Sequence, residues 1–181
     1  MLRPLLLAAA LSVFATPALA QDWSVDYEAS QVGFRTEAFG GVLEGAFPEF
    51  SAEIRLDPSD LSDARIDARV MTADGSTGNG QVDQSMLSAE GLDPSNHAAA
   101  RFTSEDIRAV EGGYEAQGTL NIRGMDQAVT LPFSLTIDGS RAIADAELEI
   151  ARLDYGVGNS SWGETAANVT IVLHIEADAA E

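Results

Sequence analysis

The chain has 181 residues, enough for one domain whose core buries roughly two thirds of the unfolded surface. Hydrophobic residues make up 45% and charged residues 22%, the balance of a folded globular protein rather than a disordered one. Acids outnumber bases 29 to 10, a formal charge of −19, which excludes nucleic-acid binding by phosphate neutralisation and opposes an anionic membrane surface.

Residues 1–20 read as an address. Met1-Leu2-Arg3 is a short positive segment, 5–15 is apolar, and Ala18-Leu19-Ala20 fits the small-x-small cleavage rule, so a cleaved signal peptide with Gln21 as the mature start is expected. The apolar run is too short to span a bilayer as a stable helix, the alternative being an uncleaved N-terminal anchor, and no later segment approaches that length, so no transmembrane segment is expected in the mature chain. Trp23, Val25 and Tyr27 then alternate with polar neighbours, and Val32, Phe34 and Thr36 continue the period of two. Gly40, Gly41 and Gly45 suggest strong bending early in this second run. Phe50, Ala52, Ile54 and Leu56 alternate again, as do Ala64, Ile66, Ala68 and Val70. The stretch 72–80 reads as a loop, and 81–89 as a short helix with Val82, Met86 and Leu87 on one face, ended by Leu92-Asp93-Pro94. Further alternating runs carry Tyr114, Ala116, Gly118, Leu120 and Ile122; Val129, Leu131, Phe133, Leu135 and Ile137; Ala144, Ala146, Leu148 and Ile150; and Val169, Ile171, Leu173 and Ile175. Turn signals at Asp57-Pro58, Gly112-Gly113, Arg123-Gly124 and Asp138-Gly139 separate them. Pro48 and Pro132 are expected at an edge, a bend or a bulge. Such alternation marks antiparallel strands with one dry face, and seven or eight of them predict an all-β sandwich or barrel with one helix-containing insertion.

Little in this chain can do covalent chemistry. All ten bases are arginine and there is no cysteine, which removes lysine Schiff bases, thiolate nucleophiles, disulfides and cysteine–metal sites. Asp57, Asp60 and Asp63 do not match a calcium loop and read as a solvated acidic turn. His97 reads as a surface or rim residue and His174 as a half-exposed or interface residue. No nucleophile elbow is present, and Gly156-Val157-Gly158 lacks the context of a dinucleotide loop. With 29 acids some carboxylate pair is inevitable, so pairs carry no signal. No catalytic and no metal residues are therefore assigned. Asn159-Ser160-Ser161 and Asn168-Val169-Thr170 are formal glycosylation sequons.

Several short motifs then fall in one order. Trp23-Ser24-Val25-Asp26 and Ser30-Gln31-Val32-Gly33-Phe34 are followed by Gly45-Ala46-Phe47-Pro48-Glu49-Phe50. Then come Leu92-Asp93-Pro94 leading into Arg101-Phe102-Thr103-Ser104, Gly118-Thr119-Leu120-Asn121-Ile122-Arg123-Gly124, and Arg152-Leu153-Asp154-Tyr155-Gly156-Val157-Gly158. Together they resemble the YceI family of exported bacterial polyisoprenoid- or lipid-binding proteins, over about residues 22–177. Four features depart from the family pattern: Tyr155 replaces a usual Phe, Asn121 replaces a usual Thr, Gly91-Leu92 stands where many members carry two aromatics, and 72–89 is Gly-rich.

The resemblance implies a single lipocalin-like antiparallel β-barrel of about eight strands over residues 21–181, located in the periplasm. Its lumen would hold an isoprenoid lipid or a quinone tail, with no other cofactor. On that reading Phe34, Phe50, Phe102, Leu120, Ile122, Phe133, Leu148, Ile150, Ile171 and Leu173 line the lumen. Arg152, Asp154, Tyr155 and Trp162 structure the mouth, or alternatively an Arg152–Asp154 pair pins the tight glycine turn there. The expected partner is an apolar lipid, with no nucleic acid, and a homodimer is expected by family analogy only. The leading expectation is a non-enzymatic lipid carrier or store. The alternatives are a filled-core structural or stress-related interaction domain and, third, an enzyme acting on a lipid.

Overall fold

A computed structural model describes residues 21–158 and 162–180. The predicted signal peptide and the Asn159 sequon lie outside the described residues. The alternating runs form ten antiparallel strands: β1 (Asp22–Val25), β2 (Gln31–Ala38), β3 (Gly41–Ala46), β4 (Phe50–Asp57), β5 (Asp60–Met71), β6 (Ala99–Val110), β7 (Gly113–Ile122), β8 (Met125–Asp138), β9 (Arg141–Ala151) and β10 (Thr165–Ala179). The helix, α1 (Gly80–Met86), lies between β5 and β6. It starts one residue before the expected span and ends three before it, because Asn79 caps it by accepting from the Gln81 and Val82 amides.

Eight strands close a ring in the order β1-β4-β5-β6-β7-β8-β9-β10 and back to β1, giving the expected antiparallel barrel. Closure leaves the ring without a free edge. The second edge of β10 is shared: residues 165–174 pair with β2, and 177–179 with β1. β2 and β3 thus form a hairpin added beside the ring. The residues read as a bend at Gly40, Gly41 and Gly45 are instead a two-residue turn followed by a strand. Phe39 and Gly40 carry φ of 55° and 78°, the mirror-image turn whose twist matches its flanking strands. Arg123-Gly124, with φ of 55° and 75°, repeats this geometry between β7 and β8.

β6 escaped the alternation because it changes phase. Its register slips between Ser104 and Asp106, so the buried positions run Ser104 then Ile107. The Ser104 hydroxyl holds the bulge by donating to the Gln117 carbonyl at 2.7 Å. Opposite it Gly118 is required by close approach: a Cβ would lie 2.2 Å from the Thr103 carbonyl oxygen and against the Phe102 ring.

β8 and β9 pair only through Phe133–Asp138 and Arg141–Ala146. Pro132 is the last β8 residue before that pairing begins, at the edge position expected of it. Beyond it the two strands part, and a 3₁₀ turn, Arg152–Tyr155, folds into the opening. Gln127 of β8 fastens that turn by donating to the Asp154 carbonyl at 3.1 Å.

The two ends of the barrel differ. One end carries tight connections: β4–β5, β6–β7 and β8–β9. The other carries the 72–98 segment with α1, the 152–164 segment, and the β2–β3 and β7–β8 turns. At the tight end Leu56, Ala64, Ile107, Ala116 and Leu131 form a dense cluster. On the outer wall arginines pair with acids across strands, including Arg55 with Asp22 at 2.6 Å and Arg141 with Asp26 and Glu176 at 2.9 and 2.7 Å. Asp57 and Asp60 accept from Ser59 and Ser62 in the solvated turn expected of them.

Candidate functional site: the barrel lumen

Inward-facing side chains should pack solid if the barrel were only a scaffold. They do not. A cavity of about 1070 Å³ runs along the barrel, from Trp23, Leu56 and Ala177 near the tight end to Val82, Met86 and Trp162 at the other. It exists because much of the inner face is alanine: Ala52, Ala68, Ala100, Ala142, Ala144 and Ala146 all border it. All ten residues expected in the lumen, Phe34, Phe50, Phe102, Leu120, Ile122, Phe133, Leu148, Ile150, Ile171 and Leu173, line this cavity. They arrive there from six strands of the ring and from β2 because residues of one parity share a face.

Glycines set where the aromatic rings lie. The Phe34 ring sits over Gly45, where a Cβ would come within 2.5 Å of it, and the Phe47 ring sits over Gly75 at 2.4 Å. Phe34 and Phe47 meet at a centroid distance of 5.8 Å. Gly91 has a local reason too. A Cβ there would lie 2.0 Å from the Met86 carbonyl oxygen, so an aromatic at 91 would displace the end of α1. Leu92 beside it packs on Leu120, Ile122 and Tyr155.

Of the four mouth residues, Arg152, Tyr155 and Trp162 border the cavity and Asp154 does not. Arg152 is buried, and its partners among the described residues are backbone carbonyls. Nε donates to Ala166 at 2.9 Å, Nη1 to Val157 and Gly158 at 2.9 and 2.7 Å, and Nη2 to Thr165 at 3.1 Å. It therefore pins the glycine turn directly, and the expected pair with the exposed Asp154 does not form. Burial pulls its pKa below the ordinary arginine value. Its guanidinium also lies 5.5 Å from the Trp162 ring centroid. Tyr155 is buried against Leu120 and Ile122, where it fills the gap between the parting β8 and β9. Burial, then the Asp154 charge, pushes its phenol up, so it is a neutral group at the wall.

Arg123 ties the connections of this end together. Its guanidinium donates to the carbonyls of Gly156 and Ala89, so one side chain joins the β7–β8 turn to both long segments. Its Nε is buried without an acceptor among the described residues. His97 packs beside Gly124, a rim position. His174 is on the outer wall between Asp145 at 2.6 Å and Glu176 at 3.2 Å, and these two, Asp145 foremost, raise its pKa from 6.5.

The mouth is weakly polar. Thr77, Asn79, Gln81 and Ser85 border it from the α1 segment, and Glu164 from the other side. Among the described residues no group of three or more His, Cys, Asp and Glu could hold a metal ion. Of the arginines that touch the cavity, Arg152 is enclosed by carbonyls, Arg101 is paired with Asp67, and Arg69 is exposed on the outer face. The sequence reading missed Phe47, Val82, Met86 and Trp23 as lining residues. Inward parity could have supplied Trp23, and the apolar face of the helix Val82 and Met86.

Comparison with known proteins agrees with this architecture. A UPF0312 protein of Pectobacterium atrosepticum is 27% identical over 185 residues, 96% of either chain, and one of Pseudomonas aeruginosa is 25% identical over 168 residues, 88% of this chain and 87% of the other. The crystal structure of Burkholderia cenocepacia BcnA superposes with a TM-score of 0.81 at 26% identity, covering 84% of this chain and 99% of that one. A polyisoprenoid binding domain from Saccharophagus degradans shares the fold with a TM-score of 0.68 at 14% identity, covering 87% and 98%. The YceI-like domain family matches residues 23–177, from β1 into β10 and so around the whole ring, and the chain belongs to the YceI family.

Proposed function

We propose that this protein is a non-enzymatic periplasmic carrier or store for a long-chain apolar lipid of the polyisoprenoid or isoprenoid-quinone type, exported by the signal peptide over residues 1–20. The observation that carries the reading is the apolar cavity of about 1070 Å³ through a closed barrel. A barrel filled from end to end would favour the structural alternative, and beyond the cluster at the tight end the alanine-rich inner wall leaves it open. The description of the Saccharophagus domain of the same fold as polyisoprenoid binding supports it.

Magnitudes favour a long chain. Burying ten methylenes gains about 8 kcal/mol, and association costs of about 4–15 kcal/mol can cancel that. A chain twice as long keeps a net gain. The mouth favours a neutral head group such as a quinone or an alcohol. Hydroxyl and amide residues border it with Glu164, and the Arg152 donors are directed to carbonyls, so that guanidinium is not free to grip a phosphate.

The two tryptophans make a built-in reporter, because Trp23 and Trp162 border opposite ends of the cavity. A long-chain ubiquinone bound with its ring at the mouth is expected to quench Trp162 strongly and Trp23 weakly. Titrating Trp23→Phe and Trp162→Phe variants separates the two signals. Quenching confined to Trp23 would reverse the orientation. No saturable quenching, together with no lipid in an organic extract of the purified protein, would sink the carrier reading.

A further inference from the structure

We propose that the β2–β3 turn is a docking finger that seats the mouth of the barrel on a zwitterionic lipid surface. The inference rests on the carrier reading for its purpose but on separate observations for its place.

Phe39 and Val42 are the most exposed large apolar residues described, 67% and 69% accessible. Phe39 is also strained. Its φ of 55° puts a bulky aromatic in the left-handed region that glycine or asparagine occupies easily. The turn geometry calls for this backbone but not for this side chain, which is mostly in solvent and gains little packing there. A backbone outlier retained without packing points to function. The same residue borders the lumen, so the finger is continuous with the route a lipid would take. Its amide donates to the Glu164 carbonyl at 3.1 Å, which fixes the tip to the segment leading into β10.

Charge selects the surface. Residues 39–43, Phe-Gly-Gly-Val-Leu, carry no charge and can enter a bilayer interface. Beside them a groove between the tip and residues 163–166 is bordered by Glu37 and Glu164. Two carboxylates fit the ammonium group of a phosphatidylcholine or phosphatidylethanolamine head and repel an anionic one. The chain's formal charge of −19 adds to that repulsion. A finger that enters neutral lipid beside an open apolar mouth lets a tail pass from bilayer to lumen without crossing water.

The test uses the exported, processed chain and sedimented vesicles of phosphatidylcholine or phosphatidylglycerol. The protein is expected to partition onto phosphatidylcholine and little onto phosphatidylglycerol. Phe39→Asn should lower that partitioning roughly ten-fold or more, the loss of one buried aromatic, while Tm stays level or rises because asparagine suits the turn. Val42→Thr keeps the shape of the strand. It should lower partitioning roughly three-fold and slow the uptake of geranylgeraniol from vesicles, yet leave uptake of geranylgeraniol added from ethanol unchanged. Equal partitioning of wild type and Phe39→Asn overturns the proposal, as does preference for phosphatidylglycerol or no partitioning at all, the last leaving the tip to a protein partner. If wild type partitions but takes up no geranylgeraniol from either source, the carrier reading fails and the docking finger stands.

Discussion

Arg152 shows what a single buried cation can organise. It reaches the carbonyls of Val157, Gly158, Thr165 and Ala166 at the open end, beside the wall gap filled by Tyr155. Replacing it with Met leaves those acceptors short of donors, and each buried unsatisfied group costs about 1–3 kcal/mol. Arg152→Met is therefore expected to lower unfolding free energy by about 3 kcal/mol or more, read as a lower urea midpoint at unchanged slope. Arg152→Lys should recover only part of this, because an ammonium cannot reproduce the planar fork. A loss under about 1 kcal/mol would mean that water replaces the guanidinium at those carbonyls. That Arg152 structures this end was legible from the motif; its acceptors were not. The sequence offers Asp154 two residues away as the obvious partner, and backbone carbonyls leave no mark in a sequence.

Strands were legible where one face stays dry from end to end. β4, β7, β8 and β9 keep their parity, so their lumen residues could be named in advance. β6 was hidden by a one-residue slip that moves burial from Ser104 to Ile107, and β3 by glycines whose positive-φ turn looked like a bend. Cross-strand pairs add a pH dependence at this scale. His174 on β10 faces Asp145 on β9, and the carboxylates of Asp145 and Glu176 raise its folded pKa above 6.5. A raised value means the stabilisation is fully present below pH 6.5 and fades as pH rises through the folded pKa. The pair is exposed, so the effect is small. Wild-type Tm is expected to decline over that interval more than the Tm of His174→Gln. Parallel profiles for the two proteins would show that the pair contributes nothing. On the acid side the sign reverses: Asp67, held below its ordinary 3.8 by Arg101, gives stability that is lost as pH falls through its folded pKa.

For the whole molecule, an open lumen sets stability against capacity. Ala68 faces the cavity between Ala52 on β4 and Phe102 on β6. Ala68→Phe would fill space that is now vacant, with contacts available on both sides. Thermal stability is expected to rise, by about 1 kcal/mol, while lipid retention falls at least ten-fold by quantified extraction. A variant that is more stable and still fully loaded would place the cargo elsewhere. The all-β class and the lumen set were readable from parity and from the family motifs. The emptiness of the lumen was written in the inward alanines of β4, β5 and β9, which mean space only once the ring is known to close.

That ring closes through β1, four residues long, which joins the β10 residues 177–179 to Ile54 and Arg55 of β4. β1 and β10 are the first and last strands of the barrel, so closure waits until β10 is present. Such long-range pairing makes folding slow. On the proposed export route slowness is useful: before β10 arrives there is no barrel to jam a translocation pore. Pairing of β1 with β10 is then also the step that seals the lumen.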